Sequence, residues 1–102
     1  MINENEQKAW VILGKLYQEV INEKTSRGES VEFAPTLEVG ENTERVFNKL
    51  IGWAYTEDKK EDFGICFDCM LEEKFRMPMD EVRESFQMGI QAAKVPIHPS
   101  QS

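Results

Sequence analysis

Residues 5–26 read NEQKAWVILGKLYQEVINEKTS, and the fold follows from how the apolar side chains fall in this stretch. Trp10, Leu13, Leu16, Tyr17, Val20 and Ile21 recur at steps of three and four, which places them on one stripe of an α-helix. Val11 and Ile12 lie beside that stripe and widen it, so the helix is expected to touch two neighbours or a partner subunit. Asn3, three residues before Glu6, suits the start, with Asn5 as the alternative cap. Gly28 suits the stop, because glycine accepts the left-handed conformation that ends helices. Some 20 residues would make a helix about 30 Å long. On so small a chain a helix of that length is expected to protrude and to favour dimerisation.

Downstream, the pattern changes over residues 29–41. Val31 and Phe33 alternate with Ser30 and Glu32, and Leu37 and Val39 alternate with Thr36 and Glu38, with Pro35 at a turn between them. Either a short β-hairpin or an extended connection fits. The connection over residues 30–40 is favoured, since nothing else in the chain supplies a strand and an isolated hairpin is marginal in water. A second helix starts near Asn42 or Thr43 and carries Val46, Phe47, Leu50, Ile51 and Ala54 on one face. Gly52 weakens its middle and would permit a close helix crossing.

A charged run, Glu57 to Asp62, precedes a third stripe of Phe63, Cys66, Phe67, Met70, Leu71 and Phe75, and Asp58 with Glu61 reads as the start of that helix. Pro78 breaks the pattern at Met77 and suits the first turn of a fourth helix, with Asp80 and Glu81 at its positive end. Val82, Phe86, Ile90 and Ala93 form its apolar face. The expectation is an all-α, four-helix domain over residues 1–94 with a flexible polar tail at 95–102. Trp10, Leu13, Tyr17, Phe47, Leu50, Ile51, Phe67, Leu71, Val82 and Phe86 are expected to share its core.

The chain has 102 residues, of which 40% are hydrophobic and 30% charged, the balance of one folded domain. A net charge of −7 disfavours nucleic acid and acidic lipid as partners. No apolar run approaches the roughly 20 residues that span a bilayer, and the polar N-terminus does not read as a secretory signal. A cytoplasmic location is therefore expected, where Cys66 and Cys69 stay reduced.

Catalytic parts are lacking. There is no Ser/His/Asp grouping and no glycine-rich phosphate loop, and the single histidine, His98, sits among prolines in the tail. Glu72, Glu73, Asp80, Glu81 and Glu84 read as a solvated face beside Lys74, Arg76 and Arg83. Cys66-x-x-Cys69 is flanked by Asp62 and Asp68, which disfavour a thiolate, and it supplies only half a zinc site. Core thiols are the plainer reading; a metal or thiol protein built on both cysteines is the third alternative. The leading alternative is a regulatory nucleic-acid-binding domain using residues 66–90 as a degenerate helix-turn-helix. Its recognition helix would carry Asp80, Glu81 and Glu84 against Arg83 alone, which phosphates would repel.

The preferred reading is a non-enzymatic protein-interaction module without cofactor or metal, acting as adaptor, inhibitor or assembly factor, with homodimerisation in view. Residues 29–62 hold nine acids and four bases, a net −5, which suits a partner with a basic surface. Met77 and Met79 flank Pro78 in a turn and are expected to be exposed apolar contacts. The candidate partner-binding residues are thus Glu57, Asp58, Glu61, Asp62, Met77 and Met79.

Overall fold

The computed structural model describes residues 4–59, 63–72 and 75–94. Among them the chain is all-helical: α1 (Glu4–Ser26), α2 (Thr43–Thr56), α3 (Phe63–Glu72) and α4 (Met79–Ala93), with no strand. The three shorter helices all pack on α1. Direction can be read from side-chain contacts. Trp10 meets Phe47 at 5.2 Å and Tyr17 meets Trp53 at 5.2 Å, while Lys24 pairs with Glu57 at 3.1 Å, so α2 runs the same way as α1. Glu6 bonds the backbone just before α4 and Asn22 bonds Ala93 at its end, so α4 also runs parallel to α1.

Returning from α1 to the start of α2 is the task of residues 29–41. They do so as an extended connection, with Val31, Phe33, Pro35 and Leu37 half-buried and the residues between them exposed. The Phe33 ring stacks on Trp53 at 4.9 Å, and the Tyr17 hydroxyl donates to the Phe33 carbonyl at 3.1 Å. Burial pushes the Tyr17 phenol pKa upward. Arg83 donates through Nε to the Leu37 carbonyl, which ties the connection to α4.

Helix ends follow local chemistry. Asn42 caps α2 by accepting from the Arg45 N–H at 2.9 Å. Gly28, at φ 77°, closes α1 with paired bonds from Glu29 N–H to the Lys24 carbonyl and from Gly28 N–H to Thr25. Asp58 does the same for α2 at φ 63°, with Lys59 N–H bonding Ala54 and Asp58 N–H bonding Tyr55. Asp58 therefore ends α2 rather than starting α3, because the six-to-one bond demands a left-handed residue there. Pro78 is the residue before α4, not in its first turn; its carbonyl accepts from the Glu81 and Val82 N–H groups.

The core is filled from all four helices by Trp10, Leu13, Leu16, Phe47, Leu50, Phe63, Cys66, Val82 and Phe86 among others. Two expected members are missing. Phe67 is 43% exposed and Leu71 is 83% exposed. The inward face of α3 is instead Phe63, Cys66 and Cys69, at steps of three, which leaves Phe67 and Leu71, four residues apart, on the outer side. Nor does α1 protrude: from Glu6 to Lys24 its length is engaged by the other elements.

The close crossing is not at Gly52, where an added Cβ would meet nothing within 4 Å. Gly52→Ala should therefore stabilise the chain by about 1 kcal/mol, the helix-propensity difference alone. An upward shift of the urea midpoint would register it. The close crossing lies between α1 and α4, where Gly14 faces the Phe86 carbonyl and Gly89 faces the Val11 carbonyl.

Candidate interaction surface

The expected contact residues scatter. Met77 and Met79 are buried, at 5% and 8% exposure, and join the core cluster. This corrects the expectation that they are exposed. The reason is Glu6, itself fully buried, whose Oε1 accepts from the Arg76 N–H at 2.7 Å and the Met77 N–H at 3.1 Å. That bond draws the turn before α4 onto α1 and carries both methionines inside. Trp10 Nε1 donates to the second carboxyl oxygen of Glu6 at 3.3 Å.

Of the acidic residues, Glu57 is half-buried and paired with Lys24, which compensates its charge. Asp58 is exposed in the left-handed turn. Glu61 and Asp62 lie outside the described residues, as do His98 and the tail beyond Lys94.

Sequence reasoning missed the surface that α3 exposes. Phe67 and Leu71, one helical turn apart, lie on its outer side with exposed Asp68 beside them. The Phe67 ring stands edge-on to Phe63 at 5.5 Å, which gives it a fixed base. The signal was present in the spacing, since Phe63, Cys66 and Cys69 define a competing face of the same helix. On α4 the outward residues include Asp80, Glu84, Gln87, Met88 and Gln91, with Arg83 turned to the connection. Such a face is ill suited to phosphates. Helices α3 and α4 each pack chiefly on α1, rather than on one another as a helix-turn-helix requires.

Cys66 and Cys69 are buried, at 0% and 3% exposure. Among the described residues no three His, Cys, Asp or Glu side chains converge on a metal-sized site, and no helix is long and apolar enough to cross a membrane. Compared with protein-family models, curated proteins and solved structures, the chain matches none.

Proposed function

We propose that this chain is a non-enzymatic protein-interaction module, an adaptor, inhibitor or assembly factor, whose partner docks on the outer face of α3. The observation that carries the reading is the exposure of Phe67 and Leu71 one turn apart, on a chain whose core is filled without them. Burying them in a partner's apolar socket contributes about 1.5–3 kcal/mol for Leu71 and about half of that for Phe67, which is already more than half covered. Asp68 stands between them, and the chain carries a net −7, so a socket ringed by Lys and Arg is preferred. Charges around such a rim speed encounter, while the buried anchors govern dissociation. A symmetric contact with a second copy would set acid against acid, which disfavours the homodimer on this face.

The double variant Phe67→Ser/Leu71→Ser tests the reading. It should keep its far-UV circular dichroism and lose about 1–2 kcal/mol of stability, nearly all of it from Phe67, whose ring is partly covered by Phe63, since Leu71 is 83% exposed. It should also lose the protein that co-isolates with the tagged chain from its native cells. Retrieval of the same partner at the same yield would contradict the proposal.

A further inference from the structure

A second surface has the opposite electrostatic character. Between the extended connection and the first turns of α2 lies a cleft of about 420 Å³. Phe33, Pro35 and Val46 give it an apolar floor. Its α2 wall carries Arg45 and Lys49, four residues apart and therefore on one helix face. Neither side chain makes a hydrogen bond or ion pair with another described residue. Glu41, at the turn into α2, is the carboxylate among the lining residues, so the lining keeps a net positive charge.

The other wall is Ala34 and Thr36. In an extended segment, successive residues turn their N–H and C=O groups to opposite edges. The carbonyls of Phe33 and Leu37 are taken by Tyr17 and Arg83, which assigns the odd-numbered row to the helix side. Ala34 and Thr36 belong to the opposite row, and their backbone groups have no hydrogen-bond partner among the described residues. Pro35 lacks an N–H but falls in the odd row, so it does not interrupt the free edge.

We propose that this cleft binds an acidic peptide in extended conformation. Its backbone pairs with Ala34 and Thr36, and its carboxylates lie beside Arg45 and Lys49. The two cations alone would serve any small anion. The adjoining free edge, with its two-residue period, selects a strand. This binding surface is independent of the α3 face.

The test uses the ¹⁵N-labelled full chain and an end-blocked octapeptide of alternating Thr and Glu. Titration should shift the amide resonances of Ala34, Thr36, Arg45 and Lys49, whereas the Thr–Lys counterpart should shift none of them. Arg45→Glu/Lys49→Glu should weaken the Thr–Glu peptide by at least about tenfold with the rest of the spectrum unchanged. Methylating alternate backbone nitrogens of the peptide should weaken it similarly, because the paired edge is lost. Phe67→Ser/Leu71→Ser should leave it unaltered, which separates this surface from that of α3. Absence of shifts at millimolar peptide would overturn the proposal. So would equal shifts from inorganic phosphate together with undiminished binding of the methylated peptide, which would mark a simple anion site.

Discussion

Gly89→Ala should destabilise the chain by about 3 kcal/mol or more, a large part of the 5–15 kcal/mol typical of a domain. A Cβ at Gly89 would lie 2.0 Å from the Val11 carbonyl oxygen and 2.6 Å from the Lys15 nitrogen. At Gly14 it would lie 2.0 Å from the Phe86 carbonyl oxygen. These are backbone atoms of a facing helix, so no rotamer change relieves the clash and α1 must part from α4. The same substitution at Gly52 gains helix propensity without a clash, so the two alanine variants should move stability in opposite directions. Gly14→Ala/Gly89→Ala should cost less than the sum of the single variants, since one separation of the helices accommodates both methyl groups. Urea unfolding followed by Trp10 and Trp53 fluorescence measures all four.

Glu6→Ala should be of similar size, at about 3–5 kcal/mol from the hydrogen-bond donors it leaves unmet. The carboxyl group is fully buried and accepts from Trp10 Nε1 and from the N–H groups of Arg76 and Met77. Alanine would leave the Trp10 and Met77 donors buried without this acceptor and the Arg76 N–H part-buried, and each unmet buried donor costs about 1–3 kcal/mol. Glu6→Gln separates the roles. Its amide oxygen can still serve both backbone N–H groups, but its NH₂ would meet the indole N–H donor to donor. The glutamine variant should therefore lose about half as much as the alanine variant, about 1.5–2.5 kcal/mol. Because Glu6 holds the turn that buries Met77 and Met79, the alanine variant should also expose methionine to mild peroxide oxidation, detectable by mass spectrometry.

Helices α1 and α2 and the extended connection were legible because large side chains recur with a period set by backbone geometry. Val46, Phe47, Leu50, Ile51 and Ala54 are all buried, as their spacing requires. Helix α3 was ambiguous because Phe63, Ile65, Cys66, Phe67, Cys69 and Leu71 surround it with apolar groups. Two stripes fit equally well by hydropathy, and the smaller thiols took the inward one. Gly14 and Gly89 carried no signal, since a side chain that is absent has no hydropathy to read. Ser85, buried beside them on α4, was hidden for a related reason, being small and polar. Glu6 was the deepest miss. A carboxylate near an N-terminus reads as a helix cap, and only the fold brings residues 76 and 77 to it across 70 positions of chain. The burial of Met77 and Met79 followed from that bond and was illegible with it.

Site-specific photo-crosslinking in the native cells tests the central claim, that the partner docks on the outer face of α3. A photoreactive phenylalanine placed at position 71 should yield one discrete adduct, and that adduct should vanish when Phe67→Ser is added. The same group at Gln87, exposed on α4, should yield none. An adduct from position 87 with none from position 71 would place the working surface elsewhere and contradict the account.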